Sequence, residues 1–339
     1  DDSGHNSAFI SNDMTPNALR VLQTNAAAGT LPSTKGSDAD SAAFSSAAPG
    51  TSSSGAVTPA ALIDIAALRG CAVNGAGRIQ AGMGIAWGDF NRDDFCDFFV
   101  TNFLAETNTL FASAAGGFFE DLSSSTGADA GSLDLLSFGA QAVDANLDGL
   151  QDLFVLNGHV DDYQHFDLPW KMPPAAWIAV PNGRFQRGSP DVFGTSSKTP
   201  ALGRALARLD WNRDGKNDLV ATFLDRHPAL FINVSRTVGR PLRVSTIGTR
   251  SCRHPVGASL SLDSGDQAFP RQRSWVTAGD GYYSACEHTS AFALSVAHDT
   301  SLLTIRWPSH AERQQFSIAT PVDEIALIEG RSTIYALPH

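Results

Sequence analysis

The sequence has no long apolar stretch and little positive charge. No window approaches the roughly 18 consecutive apolar residues of a membrane-spanning helix, so no membrane span is predicted. Lys and Arg number 24 against 35 Asp and Glu, giving a net charge of -11. That charge argues against nucleic acid or an anionic membrane surface as a partner.

Cysteine is scarce, and motifs of nucleophilic catalysis are missing. The four cysteines are compatible with two disulfides and an oxidising compartment. We find no nucleophile-elbow motif and no patterned Ser/His/Asp set, so no catalytic residue is predicted. Abundant Gly (30) and Pro (17) favour turns and short strands, so the expected fold class is all-β.

An acidic motif recurs along the chain. DFNRDDFCD begins at Asp89, DANLDGLQD at Asp144 and DWNRDGKND at Asp210, and an apolar run follows each copy. The starts lie 55 (144 minus 89) and 66 (210 minus 144) residues apart, a spacing typical of a unit of several strands. A weaker copy, DDSGHNS, stands at the N-terminus, so we expect about four sheets arranged as propeller blades. Residues 26–58 are rich in Ser, Ala and Gly and indicate an insertion.

Oxygen-bearing side chains at motif positions 1, 3, 5 and 9 predict a cation site. Ca²⁺ binds about six to eight oxygen atoms, whereas Mg²⁺ prefers a tighter octahedron with more retained water. An EF-hand is excluded, because position 12 is Val100, Val155 or Ala221 where a bidentate acid is needed. The alternative is an acidic turn without metal. We expect about three Ca²⁺ sites with these side chains: Asp89, Asn91, Asp93, Asp97; Asp144, Asn146, Asp148, Asp152; Asp210, Asn212, Asp214, Asp218.

Longer segments around these loops resemble a known repeat family. GMGIAWGDFNRDDFCDFFVTNF, SFGAQAVDANLDGLQDLFVLNGHV and GRALARLDWNRDGKNDLVATFL resemble the FG-GAP (VCBS-type) repeats of integrin-α-like β-propellers. LRVSTIGTRSCRHPVGASLSL, GDGYYSACEHTSAFALSV and LLTIRWPSHAERQQF resemble the ASPIC/UnbV domain, which follows such repeats in secreted proteins related to cartilage acidic protein. The resemblance implies Ca²⁺ binding, with position-7 carbonyl ligands from Phe95, Leu150 and Lys216.

The chain departs from this family in three ways. Asp94 stands where a glycine is usual, which is expected to loosen the first site. Cys252 and Cys286 both differ from the family pattern, so we expect them to form a disulfide, with Cys71–Cys96 as a second pair. Propellers of this type usually have seven blades. About four are present, which implies either completion by an upstream segment or another protein, or a smaller or open propeller.

Two further groups of residues are candidate sites. GHVDDYQH brings together His159, Asp161, Asp162 and His165, which is typical of a solvated loop and less often of a metal or acid–base cluster. Trp170 and Trp177 could form a carbohydrate-stacking surface, although packing under a loop is the commoner use.

Together these features favour a non-enzymatic Ca²⁺-binding β-propeller protein for adhesion, scaffolding or assembly with another protein. The expected domains are residues 1–238 (propeller blades) and 239–339 (a small β-domain). A secreted, periplasmic or cell-surface location is expected. The alternative is a polysaccharide-active enzyme or carbohydrate-binding module, which makes a glycan a second possible partner.

Overall fold

The computed structural model describes residues 7–10, 15–23, 61–266, 269–308 and 312–337. Strands hold 42% of the residues and helices 7%, so the predicted all-β fold class is confirmed. In the described ranges the connections contain α1 (Ala66–Arg69), α2 (Ser123–Thr126) and the 3-10 segments Gln164–Phe166 and Pro190–Lys198. Within those same ranges, no helix has the length and apolarity that crossing a membrane requires.

Up to residue 231, the described residues form four sheets in succession, and each is built from consecutive antiparallel strands. Sheet 1 contains β1 (Ser7–Ile10), β2 (Ala18–Gln23) and β3 (Ala61–Asp64). Sheet 2 contains β4 (Gly82–Gly88), β5 (Asp97–Asn102), β6 (Thr109–Ser113) and β7 (Phe119–Asp121). Sheet 3 contains β8 (Ser137–Val143), β9 (Asp152–Asn157), β10 (Ala175–Val180) and β11 (Arg184–Arg187). Sheet 4 contains β12 (Gly203–Leu209), β13 (Asp218–Phe223) and β14 (Ala229–Phe231).

The second strand of sheet 2 is buried on both faces because the sheet lies between two others. Phe98 packs with Leu19 of sheet 1, whereas Phe99 packs with Phe138 of sheet 3. Side chains alternate between the two faces of a strand, so a strand between two sheets needs apolar residues at successive positions. This explains the apolar run that follows the first acidic motif.

The first strands of sheets 2, 3 and 4 approach one another at glycines. A Cβ atom on Gly84 would overlap the carbonyl oxygen of Phe138. A Cβ atom on Gly139 would lie 2.5 Å from the carbonyl oxygen of Arg204. Only glycine leaves room for such close backbone contact. Ala205 occupies the same repeat position in β12, on the side of sheet 4 that faces away from sheet 3.

Two further four-stranded sheets follow sheet 4. One has the order β18-β15-β21-β22 and includes the parallel pair β15/β21; the other has the order β17-β16-β19-β20. Leu242, Leu260, Phe292 and Trp307 lie in the core that the two sheets share. The strands are β15 (Arg240–Ile247), β16 (Ser259–Asp263), β17 (Gln272–Trp275), β18 (Thr289–Leu294), β19 (Thr300–Arg306), β20 (Arg313–Ala319), β21 (Glu324–Ile328) and β22 (Ile334–Ala336).

Two sequence predictions fall outside the described residues. These are the N-terminal motif copy, which begins at residue 1, and the insertion over residues 26–58. Strand β14 ends at Phe231 and β15 begins at Arg240, and the domain division at 238/239 stays a prediction.

The predicted disulfides are wrong for this structure, because all four cysteines are free thiols. The Cys286 sulfur lies 2.9 Å from Asp280 Oδ1 and 3.2 Å from Gln141 Oε1, while Cys252 is exposed. Burial raises the pKa of Cys286 to about 12, so this thiol stays protonated and donates to its neighbours. The contact with Asp280 replaces the expected bond to Cys252.

Candidate metal-binding loops

The three complete motifs form three similar loops at corresponding places in sheets 2, 3 and 4. Loop 1 (residues 89–96) joins β4 to β5, loop 2 (144–151) joins β8 to β9, and loop 3 (210–217) joins β12 to β13. In each case the Asp at position 9 is the first residue of the second strand. The loops are therefore repeated at the same edge of successive sheets.

The Asp at position 9 ties each loop to the neighbouring strands. Asp97 accepts hydrogen bonds from the amides of Phe90 (2.8 Å) and Ser113 (2.8 Å). Asp152 bonds in the same way with Ala145 and Ala179, and Asp218 with Trp211 and Asn233. These hydrogen bonds fix the start of the strand.

Positions 1, 3 and 5 converge on the interior of each loop. In loop 2, Asp144 accepts from the amides of Asp148 (3.1 Å) and Gly149 (2.8 Å), and Asn146 Nδ2 lies 3.0 Å from Asp148 Oδ2. Asp148 Oδ1 accepts from the amide of Leu150 at position 7. Loops 1 and 3 repeat these bonds.

The backbone of each loop is left-handed at two positions. One is position 6, where Asp94, Gly149 and Gly215 have positive φ angles. Position 4 is left-handed too, although it holds Arg92, Leu147 or Arg213. These residue types give no local signal for such a conformation, so it could not be predicted from the sequence.

The donor chemistry of the loops fits a hard cation. Three carboxylates and one amide oxygen are the ligand types that Ca²⁺ selects. Among the described residues, however, no three His, Cys, Asp or Glu side chains are grouped in the arrangement of a metal site. Their oxygen atoms are directed to backbone amides. The ligand assignment stays a prediction.

Loops 1 and 2 carry buried carboxylates without a cationic partner. Burial raises the pKa of Asp89 to about 6, of Asp97 to about 7 and of Asp152 to about 7. Burial, with the nearby charge of Asp148, raises the pKa of Asp144 to about 8. In the described part of the chain none of these four groups forms an ion pair with Lys or Arg. Without a cation, ionisation of these groups has an unfavourable free energy in the folded chain.

These shifts predict the pH dependence of the metal-free protein. A carboxyl group with a raised folded-state pKa binds protons more tightly in the folded chain. Stability of the metal-free chain should therefore fall as pH rises from about 4 towards about 8, the upper value being that of Asp144. Groups with lowered pKa values, such as Asp94, change the stability only at pH values below this range.

Urea unfolding in EGTA at pH 5 and pH 8 measures this effect. The midpoint should be higher at pH 5, and Asp144→Asn should reduce the difference, whereas Asp134→Asn on an exposed surface should not. A wild-type midpoint that is higher at pH 8 would contradict the assignment.

Loop 3 differs because Arg and Lys side chains pair with its predicted ligand carboxylates. Arg243 Nε lies 3.5 Å from Asp210 Oδ2, and Lys216 Nζ lies 3.2 Å from Asp214 Oδ2. Burial raises the pKa of Asp210, and the Arg243 guanidinium opposes that rise. Burial also acts on Asp214, but hydrogen bonds and the charge of Lys216 bring its pKa below the ordinary value. The predicted ligand carboxylates of loop 3 are therefore better compensated than those of loops 1 and 2.

All three loops contact the C-terminal sheets. In loop 1, Asp94 forms ion pairs with Arg271 (2.9 Å) and Arg273 (2.8 Å). In loop 2, a Cβ atom on Gly149 would lie 3.1 Å from Pro270, and in loop 3 a Cβ atom on Gly215 would lie 2.6 Å from Pro241. Position 6 is thus a contact point in every loop, and Asp94 replaces the usual glycine with an ionic contact.

A segment of the C-terminal sheets also reaches the first strands of the repeats. Residues 279–287, which we call the tongue, lie between β17 and β18. Gly281 exchanges two backbone hydrogen bonds with Ile85 of β4, and Tyr282 packs edge-on against Phe138 of β8. Asp280 Oδ2 lies 2.6 Å from Arg208 Nη1 of β12, and both residues also contact Gln141. No pattern in the sequence indicates this contact.

The other candidate residues do not form a site. His159 is buried and accepts a hydrogen bond from the amide of Asp161, while Asp162 and His165 are exposed. Trp177 is fully buried beneath the Arg187 guanidinium, so the carbohydrate-stacking alternative is wrong for this residue, and packing is its use. Trp170 is half-buried.

Comparison with known proteins supports the C-terminal part of the chain. Residues 248–333 match the family described as ASPIC and UnbV. This range includes β16 to β21 and the tongue. No curated protein matches the chain.

Proposed function

We propose that this chain is a non-enzymatic, extracytoplasmic Ca²⁺-binding protein built on FG-GAP-type propeller blades, with a role in adhesion, scaffolding or assembly. The observation that carries the proposal is the set of buried carboxylates in loops 1 and 2 without a partner cation. A relation of this chain to cartilage acidic protein is part of the same proposal.

Ca²⁺ would be held by the Asp and Asn side chains at positions 1, 3, 5 and 9 and the carbonyl at position 7. When bound, it supplies positive charge that offsets the burial of these carboxylates. The loops also support the C-terminal sheets through Asp94, Gly149 and Gly215. Three rigid loops side by side form a surface that is better suited to binding another macromolecule than to catalysis.

The three loops should differ in affinity. Arg243 and Lys216 pair with Asp210 and Asp214, which are predicted ligands of loop 3. The cations beside loop 1 pair instead with Asp94, which is not a predicted ligand. Loops 1 and 2 should therefore bind Ca²⁺ more tightly than loop 3.

Calorimetric titration of the metal-stripped chain tests the proposal. Two tighter sites and one weaker site are expected, with a raised melting temperature. Matched substitutions at position 5 identify the loops: Asp93→Asn and Asp148→Asn should each remove one tight site, whereas Asp214→Asn should affect only the weak one. Absence of both binding heat and a thermal shift would refute calcium binding.

A second candidate, carbohydrate binding, is favoured by the cavity between loops 1 and 2 and the C-terminal sheets. Trp87 and Trp275 line it, together with Arg92 and Arg184. Aromatic faces beside guanidinium groups suit an acidic sugar. Saturable binding of an acidic oligosaccharide, lost on Trp275→Ala, would favour this candidate.

A further inference from the structure

Arg243 of β15 places a buried guanidinium of the C-terminal sheets beside loop 3. Its side chain is only 5% exposed. Nε lies 3.5 Å from Asp210 Oδ2, Nη1 donates to Asn217 Oδ1 at 3.4 Å, and Nη2 donates to Glu287 Oε2 at 2.6 Å. Each nitrogen of the guanidinium therefore has a different partner, and two of the three partners belong to loop 3.

Glu287 contacts the first residue of the same loop. Its Oε2 atom accepts a hydrogen bond from the Asp210 amide at 3.0 Å, in addition to the bond from Arg243. The C-terminal sheets thus contact Asp210 twice, at its carboxylate through Arg243 and at its backbone through Glu287. In loop 1 the equivalent amide, that of Asp89, donates instead to Gln151 of loop 2. For this hydrogen bond, the C-terminal sheets take the place in loop 3 that the following sheet takes in loop 1.

The carboxylate that Arg243 contacts is a predicted metal ligand. Asp210 stands at motif position 1, and its side chain is 5% exposed. Burial disfavours its ionised form, and the guanidinium opposes this effect. In the described part of the chain, no Lys or Arg pairs with Asp89 or Asp144, the position-1 residues of loops 1 and 2. Arg243 thus gives Asp210 the positive charge that a bound cation would give it.

We infer that Arg243 is a built-in counter-ion of loop 3, so that docking of the C-terminal sheets against this loop competes with Ca²⁺ binding there. The guanidinium and a divalent cation would neutralise the same carboxylate, and their like charges repel each other at short range. Linkage is reciprocal: if docking weakens Ca²⁺ binding at loop 3, Ca²⁺ bound at loop 3 weakens docking by the same factor. Glu287 remains a partner of Arg243 when the sheets separate from the loop, so the guanidinium is not left unpaired. The inference rests on the proposed calcium role and names how the third site is regulated.

Calorimetric titration of Arg243→Met with Ca²⁺ tests the inference. The weak site, which Asp214→Asn identifies, should bind Ca²⁺ about tenfold or more tightly than in the wild type, because a nearby positive charge is removed. The two tight sites should keep their affinities. Arg243→Lys keeps the charge and should leave loop 3 weak. Arg213→Met is the matched control. It removes the charge of an exposed loop 3 residue that forms no ion pair within the described ranges, and it should have little effect because solvent screens an exposed charge.

Hydrogen exchange of the wild-type chain supplies a second readout that needs no substitution in the C-terminal sheets. The amide of Glu287 donates to the Arg208 carbonyl when the sheets are docked. Filling of the weak site with Ca²⁺ should speed exchange in peptides that contain Glu287, and Asp214→Asn should abolish this increase. This readout decides the matter if Arg243→Met does not melt cooperatively.

The outcomes separate this inference from the calcium proposal. An unchanged weak-site affinity in folded Arg243→Met, or no faster exchange at Glu287 when the weak site fills, would overturn the inference and leave the calcium proposal intact. A Ca²⁺ site that appears only in Arg243→Met would support the inference and refute calcium binding at loops 1 and 2. Absence of Ca²⁺ binding in both proteins would overturn the two together.

Discussion

Gly139→Ala should be among the most destabilising single substitutions in this chain. The added Cβ atom would lie 2.5 Å from the Arg204 carbonyl oxygen and 2.6 Å from the Leu206 amide nitrogen. Both contacts are with the backbone of sheet 4, so no side-chain rotation relieves them. Separating two packed sheets to make room should lower the free energy of unfolding by about 3 kcal/mol or more. Urea unfolding measures the loss.

The third repeat supplies the control for this substitution. Ala205→Gly makes the reverse change at the equivalent position, where a Cβ atom is already accommodated. It should change stability by about 1 kcal/mol or less, the cost of glycine in a strand. Equal effects of Gly139→Ala and Ala205→Gly would show that the close approach of the sheets is not the cause.

Asp280→Ala should detach the tongue from the repeats. Asp280 is buried, and its carboxylate is the ionic partner of Arg208 at 2.6 Å. Removal of one member of a buried pair leaves the other charge uncompensated and typically costs about 3–5 kcal/mol. The substitution also takes away an acceptor of Cys286 and Gln141. A large fall in the urea midpoint is the expected result.

A surface ion pair gives the matched comparison. Asp191 lies 3.6 Å from Lys198, and both side chains are about three-quarters exposed, so Asp191→Ala should cost well under 1 kcal/mol. The double variant Arg208→Met/Asp280→Leu should recover much of the stability lost in Asp280→Ala, because it removes both charges. An Asp280→Ala protein as stable as Asp191→Ala would show that the tongue contact contributes little.

Much of the repeat architecture could be predicted from local pattern. The nine-residue motif is contiguous, and its position-9 Asp directly precedes residues that alternate between two buried faces. Phe98 and Phe99 follow that rule in β5. Loop positions and the strands after them were therefore accessible from the residues alone.

Contacts between distant residues were not accessible in the same way. Asp94 looked like a weakened loop position until Arg271 and Arg273 were placed beside it. Arg243 showed no sequence relation to Asp210, yet its guanidinium lies against that carboxylate. Cys286 was assigned to a disulfide, but its neighbour is Asp280. Each of these depends on how the C-terminal sheets dock, which a local pattern does not encode.

The tongue affects how the molecule is expected to unfold. An array of stacked repeats has only nearest-neighbour contacts, so its ends can unfold while its middle survives. Here one short segment bonds to the first strands of three successive sheets, through Ile85, Gln141 and Arg208. Loss of any one of these sheets removes part of the support of the other two. We therefore expect sheets 2, 3 and 4 and the C-terminal sheets to unfold in a single cooperative transition, in spite of the modular sequence.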